Sequence, residues 1–141
     1  RFHVTNPVEV TDTVRYFDLH TNGVGYLNRI RDVEPTDGAP FLAVTVAAIH
    51  GKSSEVDHTY FECTVYGEQA QSIVRELKSA VDADKKVFVG FTLSNLKASA
   101  FTFQQGDKKG QSGVNLNARL IRIAWAKVDG QKVSFDQRHV A

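Results

Sequence analysis

The sequence predicts an all-β barrel of five strands with one helix between the third and fourth. Three observations carry that prediction. Several short stretches alternate apolar and polar residues with a period of two. One stretch, Glu68 to Asp84, changes to steps of three and four. That stretch follows the third strand and precedes the fourth.

The elements follow in order. Residues 1 to 15 have no clear period and contain Pro7 and several threonines, so they read as an arm with at most one edge strand. "VGYLNRIRDV", Val24 to Val33, is the first strand. "EPTDGAP" is a turn by composition, with Asp-Gly between prolines. "FLAVTVAAIHG", Phe41 to Gly51, is the second strand, with Leu42, Val44 and Val46 on one face. "KSSEVD", Lys52 to Asp57, reads as a polar hairpin loop. "HTYFECTVYG", His58 to Gly67, is the third strand. In the next stretch Ala70, Ile73, Val74, Leu77 and Val81 form one apolar stripe of a helix, with Glu68 suited to its positive N-terminal end. "KKVFVGFTL", Lys85 to Leu93, returns to strand, and "SNLKASAFTF" continues or bends it. "QQGDKKGQSG", Gln104 to Gly113, is a glycine-flanked basic loop. "VNLNARLIRIAWAKV", Val114 to Val128, is the last strand, and Asp129-Gly130 opens another turn.

Three strands, a helix and two strands fit a small barrel closed at one end by the helix, the oligonucleotide/oligosaccharide-binding (OB) fold. A ferredoxin-like sheet needs a second helix between the first two strands, and the seven turn residues leave no room for it. The expected organisation is an arm over residues 1–15, the barrel over 16–130 and a short tail over 131–141.

The 141 residues suffice for one domain, with 42% hydrophobic and 23% charged residues. No apolar run approaches the ~18 residues of a membrane span, and no signal peptide is visible at the N-terminus, so a cytoplasmic protein without membrane contact is expected. Cys63 is the only cysteine, which excludes an intrachain disulfide. Between Phe61 and Val65 it reads as a small buried apolar residue, with no base nearby to make it a nucleophile. Net charge is only +1, yet residues 85–127 hold eight basic residues against one acid, and residues 1–84 hold seven against thirteen. That segregation predicts a basic face unless packing interleaves the two halves.

The third strand raises the functional question. Phe61, Cys63 and Val65 fall on its core face, while Tyr60, Glu62, Thr64 and Tyr66 fall on the other. A half-wet face carrying two tyrosines suits either stacking on a ligand or packing against the helix or a partner. Trp125 shares parity with Ile121 and Ile123, which reads as core or subunit interface.

"VTVAAIHG", a polar loop, "HTYFECTVYGEQAQSIVREL" and "KKVFVGFTL" resemble the middle of the bacterial single-stranded-DNA-binding proteins, over roughly residues 24–128. "YFDLHTNGVGYLNRIRDV", "DKKVFVGF" and "GDKKGQSGVNLNARL" resemble a proteobacterial family of integrative and conjugative elements and genomic islands, usually labelled element replication proteins. Tyr60 and Tyr66 match two base-stacking positions of the bacterial proteins. They lie six residues apart on one face, about 20 Å along a strand. Phe101 and Phe103 stand where those proteins place a stacking tryptophan on a hairpin. Lys108 and Lys109 sit at the tip of the loop that closes over nucleic acid in an OB fold, and Lys52 lies in the other hairpin. Arg29 and Arg31 share a face of the first strand, and Lys97 and Arg119 line neighbouring strands. Each of these cations suits a phosphate or a solvated surface equally well.

The five histidines, His3, His20, His50, His58 and His139, have no paired metal spacing. Gly23 and Gly25 lack the third glycine of a dinucleotide fingerprint, because Asn28 takes its place. Asp82 and Asp84 read as a solvated helix end. No metal, cofactor or catalytic residue is expected. The resemblance implies a non-catalytic single-stranded-DNA-binding protein, a homo-oligomer (dimer or tetramer), with replication or conjugation proteins as further partners. The bacterial proteins end in an acidic partner-recruiting tail, and "SFDQRHVA" gives no support to recruitment of that kind. The alternative is an OB-fold adaptor that binds a protein on the same aromatic face.

Overall fold

A computed structural model describes residues 17–134. They run β1 (His20–Val33), β2 (Phe41–Lys52), β3 (Glu55–Val65), α1 (Glu68–Asp82), β4 (Val87–Thr102), β5 (Ser112–Val128) and β6 (Gln131–Lys132). The expected arm at residues 1–15 and the tail beyond residue 134 lie outside the described residues.

β1 serves two neighbours. His20–Tyr26 pairs with β4, and Val24–Val33 pairs with β2. The register to β2 shifts between Asn28 and Arg31, where Arg29 takes a left-handed φ of 50°. A bulge of this kind bends a strand and increases its twist. That is what one strand needs to form part of both walls of a small barrel. β3 and β5 then pair in parallel, Glu62–Val65 against Asn117–Leu120. The circuit β1-β2-β3-β5-β4-β1 is closed, with α1 inserted between β3 and β4. This strand circuit and helix position are those of the OB fold, as the sequence order predicts.

The core follows the alternation. Val44, Val46, Val89, Leu93 and Leu120 are wholly enclosed, each contributing about 1.5–3 kcal/mol through burial. The helix stripe behaves as expected: Ala70, Ile73, Val74 and Leu77 are buried, and Val81 packs at the margin of the core. α1 ends where Asp84 takes φ 61°, with its N–H donated to the Val81 carbonyl and that of Lys85 to the Ala80 carbonyl. This is a Schellman ending with aspartate at the position glycine usually fills.

The structure sharpens the sequence reading in four places. β1 begins at His20, because its first residues pair with β4. The polar segment after Gly51 is a tight turn at Ser53–Ser54, with Lys52 and Glu55 already paired. β4 runs through Lys97 to Thr102, with register shifts between Gly90 and Phe91, Thr92 and Leu93, and Ser94 and Lys97. Asp129 and Gly130, at φ 49° and 86°, turn the chain into β6, which pairs with Lys127 and Val128.

Trp125, expected in the core or at a subunit interface, does not join the core. Ile123 is opposite Phe91 and Trp125 is opposite Gly90, so one extra residue of β5 separates them. A one-residue insertion moves the following side chains to the other face. Ile123 and Ala126 therefore point inward, while Trp125 lies half-buried on the outer face. Its indole occupies the space above Gly90, where an added Cβ would sit 2.5 Å from the ring nitrogen.

Candidate nucleic-acid interface

The alternation of β3 is realised. Phe61, Cys63 and Val65 enter the core, and Tyr60 and Tyr66 are 59% and 43% exposed. Exposed tyrosines offer an apolar face and a polar tip at an open surface. The Arg119 guanidinium lies 4.3 Å from the Tyr66 ring centre, a cation–π contact that holds both groups on the same patch. Between the two tyrosines, the Glu62 carboxylate accepts from Arg31 at 3.2 Å and from Thr45 at 3.0 Å. Arg31 also donates to the Arg29 carbonyl at 2.8 Å. It is thus committed to protein partners, while Arg29 is exposed. Asn117 is the register partner of both Glu62 and Lys97, which sets Lys97 on this same outer side.

A second cluster forms on the β4–β5 hairpin. Phe101, 36% exposed, lies over Gly113, whose added Cβ would meet the ring at 2.5 Å. The missing side chain of Gly113 is replaced by the ring from across the ladder, a covering familiar for strand glycines. Phe103 meets Phe101 edge-on at 4.9 Å and 72°, and Lys108 lies 5.5 Å from the centre of the Phe103 ring. The tip is ordered by its own backbone: Gly110 N–H donates to Phe103 and Gln111 N–H to Lys108, at 2.9 and 2.8 Å. Lys109 is exposed beside them. Arg119 lies six residues along β5 from Gly113, about 20 Å away. Lys52 stands apart at the β2–β3 turn, opposite Glu55.

The sequence reading missed a row of rings. Tyr60 pairs with Ala47, Ala47 with Tyr26, Tyr26 with Phe88 and Phe88 with Lys127. The row crosses β3, β2, β1, β4 and β5 on their outer face. Tyr26 and Phe88 are 5.0 Å apart, and Phe88 and Trp125 are 5.3 Å apart. Lys86 and Lys127 approach the Tyr26 and Trp125 rings to 5.8 and 5.9 Å. A signal was present: Tyr26 alternates with Leu27, and Phe88 with Val87 and Val89. Ordinary core strands carry the same alternation, so the side each ring takes needed the register.

Cys63 is buried, and its thiol is pushed up to about 12 by that burial and, secondarily, by the Glu62 charge. It is held as a neutral thiol. Among the described residues, no group of three or more His, Cys, Asp or Glu is set to hold a metal ion. No helix among them is long and apolar enough to cross a membrane.

The chain is similar to solved single-stranded-DNA-binding proteins. One is the SSB of Plasmodium falciparum in complex with ssDNA, at TM-score 0.45 and 10% identity, covering 86% of this chain and 99% of that one. Another is the mitochondrial single-stranded DNA binding protein of S. cerevisiae, at TM-score 0.37 and 12% identity, covering 82% and 99%. At these scores the fold assignment rests on the strand circuit itself. No curated protein matches the chain. A family model described as "Protein of unknown function (DUF3577)" matches residues 10–140, nearly the whole length, and the chain belongs to that family.

Proposed function

We propose that this chain is a non-catalytic single-stranded-DNA-binding protein, acting in the replication or transfer of a mobile genetic element. The observation that carries it is the outer face of β3: two exposed tyrosines on an OB barrel, one of them paired with Arg119. Aromatic rings stack on any base, and basic groups follow the phosphates. Tyr60 and Tyr66 are the proposed stacking residues, with Phe101 and Phe103 on the hairpin as a second platform. Arg29, Lys52, Lys97, Lys108, Lys109 and Arg119 are the proposed phosphate contacts. Arg31 enters as the residue that fixes Glu62 rather than as a free cation. The mobile-element role rests on the resemblance of the blocks beginning at Tyr16, Asp84 and Gly106. A homo-oligomer fits this reading, because several weak sites joined together bind one strand more tightly.

The adaptor reading keeps one observation in its favour. The carboxylate of Glu62 stands between the two tyrosines, where a polyanion meets like charge. Titration of a labelled oligo-dT strand at two salt concentrations separates the readings. Binding that weakens with salt and exceeds binding to duplex is expected, and no binding at low salt overturns the proposal. The variant Tyr60→Ala should lose about 1–3 kcal/mol of that affinity with an unchanged circular dichroism spectrum.

A further inference from the structure

We propose that the cleft over Ala47 is a nucleobase slot, in which one base of a single strand enters between Tyr26 and Tyr60 while Lys86 holds an adjacent phosphate. The inference rests on the single-stranded-DNA reading and extends the β3 face from Tyr60 across β2 to Tyr26 of β1 and to Lys86, residues that belong to neither the β3 nor the hairpin cluster. The cleft measures about 360 Å³ and is lined by Tyr26, Ala47, Tyr60, Lys85 and Lys86, among others. That volume lies in the range of small-ligand sites.

The geometry comes from the register. Tyr26 and Tyr60 are both partners of Ala47, on the strands to either side of it. Two strand spacings separate them, roughly 9.5 Å. Two offset stacking steps of about 4.5–5 Å fill that gap with a single planar ring. Alanine is the only residue of the row with neither a ring nor a charge, and at 4% exposure it forms a floor rather than an obstacle. The slot also has a rigid wall. Tyr26 is backed by Phe88, and Phe88 by Trp125, so little side-chain freedom remains to be lost when a base enters.

Charge selects the occupant. Lys85 and Lys86 stand at the rim with one acid, Asp84, and Lys127 continues the row beside Trp125. An anionic strand is attracted to this face. A second copy docked on it about a two-fold axis would set the same lysines against one another.

Two measurements on the full chain test the slot. An oligo-dT strand carrying 5-iodouracil is photo-crosslinked to the wild-type protein and the adducts are mapped by mass spectrometry. Adducts on Tyr26 as well as Tyr60 are expected, and adducts confined to Tyr60, Tyr66 and the hairpin phenylalanines overturn the slot. The variant Ala47→Leu fills the cleft and keeps both rings. It should weaken oligo-dT binding tenfold or more, and unchanged affinity in a folded variant overturns the slot while leaving the parent reading standing. Failure of the wild type to bind any single strand overturns both. A change in sedimentation mass in Lys86→Gln, with no adduct on Tyr26, identifies the face as a protein interface and overturns the slot. Should Ala47→Leu fail to fold, the adduct map on the wild type decides.

Discussion

Cys63 is 3% exposed on the core side of β3, and its Sγ lies 3.7 Å from the Phe61 carbonyl. Burial raises the thiol from 9.0 to about 12. Below pH 9 both folded and unfolded thiols keep the proton, and the group does not alter the balance between the states. Between pH 9 and about 12 only the unfolded thiol ionises. The unfolded state then binds fewer protons, and stability falls as pH rises. Cys63→Ala should therefore lose less stability than wild type across that window, measured by urea unfolding at each pH. The native thiol should stay silent to a thiol reagent at pH 8 and react once the chain is unfolded in urea. Reaction at the rate of a free cysteine would show that β3 opens readily. This residue was legible in the sequence, because its neighbours Phe61 and Val65 fix its face. The fate of Arg31 was not. Nothing in the spacing of Arg31 and Glu62, 31 residues apart, announces their ion pair, which exists only once β1 and β3 flank β2.

At the scale of elements, one side chain hydrogen-bonds α1 to the backbone of β5. The parallel pairing of β3 with β5 ends at Val65 and Leu120. Beyond it the Tyr66 N–H still reaches the Leu120 carbonyl at 2.9 Å. Gln69 then takes the place of a strand: its amide donates to the Ile123 carbonyl at 2.9 Å and accepts from the Ile123 N–H at 3.3 Å. Gln69→Leu keeps the bulk but leaves two backbone groups of β5 without these bonds. Unsatisfied groups of this kind cost about 1–3 kcal/mol. The expected result is a lower urea midpoint with an unchanged slope, and a midpoint equal to wild type would mean that water replaces the amide at no cost. The sequence announced α1 itself, since five apolar residues recur at helical steps. It did not announce Gln69, one polar residue among several in the first turn. The outer face of β5 was hidden for a related reason. Parity counted from Ile123 leaves Trp125 in the core or at a subunit interface, and the bulge opposite Gly90 and Phe91 takes it out of the core. Bulges depend on strand pairing between distant segments, so they leave little trace in a period of two.

At the largest scale, the segregation of charge survives folding among the described residues. β4 and β5 pair with each other from Val87 and Val128 to Thr102 and Ser112. The basic segment 85–127 is therefore one continuous hairpin rather than strands interleaved with the acidic half. Where β5 meets β3, the nearest acid is Glu62, already paired with Arg31. Other charges of the acidic half are also matched on the surface, as in Lys78 with Asp82 at 2.8 Å and Arg75 with Asp32 at 3.1 Å. A protein of net charge +1 can thus present a cationic hairpin, and its salt dependence should report the hairpin rather than the net charge. For single strands, the logarithm of the binding constant falls with the logarithm of salt by about 0.7 for each phosphate neutralised. The double variant Lys108→Gln/Lys109→Gln removes both cations of the tip and should make that slope shallower by about 1.4. Lys78→Gln removes the same kind of charge from the outer surface of α1, where it is already paired with Asp82, and should leave the slope unchanged. Oligo-dT affinity measured over a salt series for the three proteins checks this. Equal slopes in all three would mean that the tip is solvated in the complex and that the phosphates are met by cations elsewhere on the barrel.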